Sequence, residues 1–226
     1  MSTWTSSALA LSILTALPGC LPNADVAMGA GGIGLSRAAP EKIAVANRSV
    51  IVAGPPGYCV DKAATKDTAT GAFVLLGSCA SIANSPRARS PATPALLTAS
   101  VSPASRAAAA STNQLAAFFR SPPGRAALAR NGRAGSVSIL KVQSRDNALY
   151  IHARDSSANV AGNLAPDYWR GVFDLGGRLV TVSVIGFANR PLTDAASIAT
   201  LDAFAARIRA ENRAMIASNP NPRLPG

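Results

Sequence analysis

The sequence predicts a single α+β domain, mainly an antiparallel sheet with two or three helices packed on it. Three stretches carry that prediction. Ser49 to Ala83 holds two apolar runs, each with one cysteine, joined by a polar segment. Val137 to Phe187 holds four runs with apolar alternation, the last two joined by Gly176-Gly177, a pair that fits the positive φ of a two-residue hairpin. From Thr193 onward, Ile198, Leu201, Phe204, Ala205, Ile208 and Met215 recur at three- and four-residue steps, the apolar stripe of a helix lying on a sheet. A chain of 226 residues is long enough for one such core with a leader and a tail.

Ser7 to Leu17 is dominated by apolar residues, too short a run to span a bilayer and of the length of a signal-peptide core. It ends in Leu17-Pro18-Gly19-Cys20, which resembles the lipobox of bacterial lipoproteins, where cleavage precedes a diacylated cysteine. Leu17, Gly19 and Cys20 match that pattern. Pro18 stands where a small or β-branched residue is usual, and the first basic residue is Arg37, whereas export signals normally open on positive charge. The resemblance implies a signal peptide over residues 1–19, lipidation of Cys20 and a membrane-anchored protein facing the periplasm. Cleavage elsewhere with secretion, and a buried apolar N-terminal helix, are the alternatives.

Residues 20–40 are rich in Gly and Ala and read as a flexible tether. Gly29 to Gly34 satisfies the dinucleotide-binding glycine pattern, but neither the strand nor the helix that the mechanism requires flanks it, so no cofactor is expected. The domain is expected over residues 41–218 and a loose tail over 219–226. Ile43 to Ala53 reads as a strand, Gly54-Pro55-Pro56-Gly57 as a bend, and Tyr58 to Val60 as resumed extended chain. Asp61 to Gly71 is polar and reads as a loop or one helical turn; Phe73 to Leu76 is an apolar strand that Gly77-Ser78-Cys79 continues. With Cys20 assigned to lipid, Cys59 and Cys79 form an even pair, and a disulfide between them is expected in an oxidising compartment. Unpaired buried thiols, or catalysis, are the competing readings.

Pro, Ala and Ser dominate residues 84–112, a long surface loop in which Leu96 to Val101 is apolar enough to be a strand. Ser111 or Thr112 caps a helix with Leu115, Phe118 and Phe119 on one face. Ser121-Pro122-Pro123 ends it and starts a second short helix that stops at Asn131-Gly132. The element order then runs through four strands to the last helix, capped by Thr193 or Asp194. That order resembles the Mog1p/PsbP-like sandwich, which implies a twisted sheet flanked by helices and carries no functional residues. The Gly54 to Asp61 and Phe73 to Cys79 segments, with the lipobox-like start, also look like uncharacterised exported proteins of proteobacteria, a resemblance that implies location and no activity.

Net charge is +11, and no acidic residue falls between Asp67 and Asp146, where Arg87, Arg89, Arg106, Arg120, Arg125, Arg130, Arg133, Lys141 and Arg145 all lie. A block of one sign attracts anionic lipid or polymer; Arg120, Arg125, Arg130 and Arg133 are the candidates for such a surface, and nucleic acid is not expected. Composition alone also accounts for the arginine, and a helix with two Phe beside arginines packs on a sheet as readily as on a membrane. His152 is the sole histidine. Strand alternation sets it beside Tyr150 and Arg154 on what reads as the wetter face, with Asp155 pointing away, so it is a weak candidate for general-base catalysis. No paired carboxylates, nucleophile elbow, phosphate loop or metal-ligand spacing is present. The functional expectation is therefore a non-catalytic envelope lipoprotein that binds an envelope protein or supports an assembly. An Arg-face binder of anionic surface and a hydrolase using His152 are the alternatives.

Overall fold

A computed structural model of the chain describes residues 39–105, 110–157 and 163–218. The segment 1–19 read as a signal peptide, Cys20, the glycine pattern at 29–34 and the expected tail at 219–226 lie outside the described residues. A small hairpin of β1 (Lys42–Val45) and β2 (Val50–Ala53) precedes a seven-stranded antiparallel sheet. Its strands are β3 (Tyr58–Thr68), β4 (Gly71–Ser78), β5 (Leu96–Ala104), β6 (Val137–Arg145), β7 (Ala148–Asp155), β8 (Leu164–Asp174) and β9 (Arg178–Phe187). They lie in the order β3-β4-β5-β9-β8-β7-β6, so two meanders meet where β5 pairs with β9. The crossover between the meanders carries α2 (Thr112–Arg120) and α3 (Pro122–Leu128); α1 (Cys79–Ile82) follows β4, and α4 (Asp194–Glu211) and α5 (Arg213–Ser218) follow β9.

Strand alternation gives the sheet two apolar faces, and each has its own cover. Val74, Leu97, Val182, Trp169 and Phe173 face α4, which contributes Leu201, Phe204, Ala205 and Ile208, and the β1-β2 hairpin, which contributes Val45, Val50 and Val52. Leu149, Ile151, Tyr168, Val172 and Ile185 face the other way, under Leu115 and Phe119 of α2 and Leu128 of α3. Each large side chain buried in these layers contributes roughly 2 kcal/mol relative to exposure. The hairpin at Gly176 and Gly177 forms as expected, with φ of 59° and 79° and reciprocal bonds between Leu175 and Arg178.

Several elements differ from the sequence reading, each for a local reason. Ile43 to Ala53 is two strands, because Ala46, Asn47 and Arg48 take left-handed φ of 55°, 57° and 63° and reverse the chain, while the Asp67 carboxylate accepts the Ala46 N–H at 3.0 Å. Asp61 to Gly71 is not a loop: β3 continues to Thr68 through a bulge between Asp61 and Lys66. Asp61 Oδ1 accepts from the N–H groups of Ala63 and Ala64 there. Polar residues fit this strand because it is the sheet edge, where water takes the unpaired side. Cys79 opens α1 instead of ending β4, and β5, the strand within the Pro-rich stretch read as a surface loop, lies inside the sheet between β4 and β9.

The last helix breaks at Asn212, which is only 3% exposed. Its side-chain amide donates to the carbonyls of Ile51 and Ile208, and its oxygen accepts the Ile51 N–H at 2.9 Å. One side chain thus supplies the hydrogen bonds that β2 and the end of α4 would otherwise leave unmade in the core.

Candidate functional site

Cys59 and Cys79 form a disulfide, each at most 4% exposed. Around it the Cys79 N–H donates to the Gly57 carbonyl at 2.9 Å and the Ala80 N–H to Arg89 at 3.0 Å. Gly57 has φ of 87°, and a Cβ there would stand 2.6 Å from the Pro91 nitrogen, so only glycine fits. The bond therefore staples β3, α1 and the first part of the Pro-rich stretch into one buried corner. A disulfide leaves neither sulfur as a nucleophile, which sets the catalytic reading of these cysteines aside.

His152 stands in a different setting from the one expected. Both faces of β7 are covered, so its side chain is 16% exposed and Tyr150 beside it is 2% exposed; this is not a wet face. In the β7-β8 register His152 opposes Trp169, and the two rings stack 4.8 Å apart at 11°. The carboxylate missing from the sequence reading comes from α4. Asp194, the first residue of that helix after its Thr193 cap, accepts from Trp169 Nε1 at 3.2 Å and lies 3.8 Å from His152 Nδ1. Asp155 is elsewhere, fully buried at the end of β7.

These groups line a cleft of about 210 Å³, walled by Pro166 of β8, Pro191 and Leu192 of the β9-α4 loop, and Ser197 of α4. Arg154 and Asp167 oppose one another in register and form a two-pronged ion pair at its rim, 2.7 and 2.9 Å. The Arg154 guanidinium holds the Asp167 carboxyl below the usual carboxylate range against the opposing effect of burial. Ser197 is 7% exposed. The cleft thus brings an imidazole, a carboxylate and a hydroxyl to one small space with apolar walls. Asp194 and Ser197 were missed because only the docking of α4 on the sheet brings them to His152; in sequence Asp194 is legible as a helix start and nothing more. Tyr168 and Trp169 are 3% and 1% exposed on opposite faces, so neither ring face is open to a ligand.

The four arginines divide. Arg120 and Arg133 are exposed. Arg125 donates from Nη1 to the Arg120 carbonyl at 2.6 Å, closing the end of α2. Arg130 turns inward: Nη2 donates to the Ala165 carbonyl at 3.0 Å, its guanidinium lies 5.6 Å from the Tyr168 ring centre, and Arg170 approaches the same ring at 5.3 Å. Burial pushes the Tyr168 phenol above its ordinary value, and its hydroxyl donates to the Leu128 carbonyl at 2.7 Å. Arg130 is therefore a brace between α3 and the sheet. α2 also presents its faces differently from the expectation: Leu115, Ala116 and Phe119 are buried, and Phe118 points outward, 46% exposed.

Among the described residues no cluster of three or more His, Cys, Asp or Glu side chains could hold a metal ion, and no helix is long and apolar enough to cross a membrane. No protein-family model matches the chain, and no curated protein matches it.

Proposed function

We propose that the chain is an exported, lipid-anchored envelope protein that binds a small ligand non-covalently in the cleft between β8 and the start of α4. The observation that carries this reading is the arrangement of His152. Its ring lies flat on Trp169 and its Nδ1 is 3.8 Å from Asp194, so imidazole, carboxylate and the Ser197 hydroxyl converge without a proton-transfer contact between the first two. Donors and acceptors held around an apolar wall are what recognition of a small ligand needs. The Cys59–Cys79 bond supports an oxidising compartment, and the lipobox-like start supports the anchor. The carboxylate of Asp194 beside Pro166, Pro191 and Leu192 suits a small amine with a short apolar body.

A titration of short alkylamines, amino acids and monosaccharides, followed by protein-detected NMR, tests the reading. An amine is expected to shift His152 and Trp169 resonances, and Asp194→Asn to weaken it about tenfold, the loss of one charge-assisted contact. Turnover of an ester substrate that disappears in both His152→Ala and Ser197→Ala would contradict it. That outcome would favour the hydrolase reading, with Asp194 orienting the imidazole.

A further inference from the structure

We propose that the corner between α2 and α3 docks on an anionic lipid surface. The corner is apolar at its tip and rigid beneath it. Phe118 projects 46% exposed while its ring meets the buried Phe119 edge to face at 5.2 Å, which fixes its direction. Pro122 and Pro123 follow, both exposed. The Ser121 hydroxyl donates to the Phe118 carbonyl at 2.6 Å and accepts the Gly124 N–H at 3.3 Å, so one side chain ends α2 and caps α3. Gly124 lets the two helices meet: a Cβ there would fall 2.0 Å from the Phe118 carbonyl oxygen.

Arg120 ends α2 and Arg125 lies in α3, so cations flank this tip, and Arg133 follows α3 in the chain. Arg120 and Arg133 are exposed, and neither they nor Arg125 takes part in an ion pair among the described residues. No carboxylate occurs from Thr68 to Arg145. Asp155, which reaches this region from β7, is buried and accepts from the Arg130 N–H and from Ser157. On the edge strand β6, against which α3 and α2 pack, Leu140 is 50% exposed and is followed by Lys141.

Charge complementarity selects the partner. An anionic polymer needs only the cations, and a protein partner of this face would have to bring carboxylates to an apolar tip. An acidic lipid surface takes both parts: headgroups meet the guanidinium groups and the interface takes Phe118 and the prolines. The geometry is compatible with the ligand cleft, because α2 and α3 cover one face of the sheet and His152, Trp169 and Asp194 lie on the face under α4. A domain docked through this corner leaves the cleft open to the compartment.

The test is sedimentation of the full chain carrying Cys20→Ser, which removes the acylation site, with vesicles of phosphatidylcholine or of an equimolar mixture with phosphatidylglycerol. Every variant shares the apolar run at 7–17, so differences between variants report the corner. Binding to the mixed vesicles is expected to exceed binding to neutral ones and to fall steeply with salt. Arg120→Glu with Arg133→Glu is expected to weaken it by about tenfold or more, and Phe118→Ser by several-fold with the charges intact. These side chains are exposed, so unchanged Tm separates the effect from unfolding; if the double variant loses Tm, Arg120→Gln with Arg133→Gln replaces it with a smaller expected loss. Mixed-vesicle binding that is unchanged by the charge change overturns the proposal. Competition by dextran sulfate together with an inert Phe118→Ser would reassign the face to a polymer and overturn it as well.

Discussion

Replacing Cys59 and Cys79 together by alanine is expected to lower the unfolding free energy by about 3 kcal/mol in the chain-entropy account of a loop of this size, and Tm by roughly 10 °C. The two cysteines are 20 residues apart in sequence, so the bond removes a sizeable loop's freedom from the unfolded chain. The loss matters against a total of roughly 5 to 15 kcal/mol, because aromatic residues are only 5% of the chain and large core side chains are scarce. Denaturant unfolding with and without reductant checks it. The native protein should lose stability on reduction and the alanine pair should not respond; coincident curves for oxidised and reduced native protein would contradict the stapling role.

Asp155→Ala is expected to cost about 3 kcal/mol, the usual loss when one partner of a buried charged cluster is removed. Its carboxylate, 0% exposed, accepts from the Arg130 N–H at 2.7 Å and from the N–H and hydroxyl of Ser157 at 2.9 and 2.6 Å. It thereby ties the end of α3 to the end of β7. Burial pushes its pKa upward, but these hydrogen bonds and the Arg130 charge outweigh burial and hold it below the ordinary carboxylate value. A pKa lower in the folded than in the unfolded chain stabilises fully above the unfolded value of about 3.9 and progressively less as pH falls below it. Stability measured against pH should therefore drop on the acid side, and Asp155→Asn should flatten that limb. An acid limb unchanged in Asp155→Asn would assign it to other carboxylates, such as Asp167 and Glu211, which their cationic neighbours also hold low.

Sequence reasoning reached the elements whose signal is local. Gly176-Gly177 dictates its own turn, Ser111 and Thr193 their own caps, and the spacing from Ile198 to Ile208 its own buried stripe. It failed where a neighbour decides. Asp61 to Thr68 pairs as a strand only because β4 lies beside it, and the stretch read as a surface loop that could hold a strand at Leu96 to Val101 puts that strand inside the sheet, between β4 and β9. Phe118 and Phe119 look alike in sequence, yet the crossing at Gly124 sends one outward and one into the core. The candidate site shows the same limit. His152 and the cysteine pair were legible because their residue types are rare here, while Asp194 reaches the imidazole only through the packing of α4 at the edge of the Trp169 ring. Arg130 was indistinguishable from Arg120 until the position of Tyr168 separated a brace from a surface charge.

Intact mass spectrometry of the mature protein, taken from the membranes of the cell that makes it and never reduced, tests the central claim of an exported, anchored binding domain most directly. The expected species begins at Cys20, carries lipid on that residue and is two hydrogens lighter than its free-thiol form, with Cys59 linked to Cys79. A soluble chain that retains Met1 and holds Cys59 and Cys79 as free thiols would contradict it.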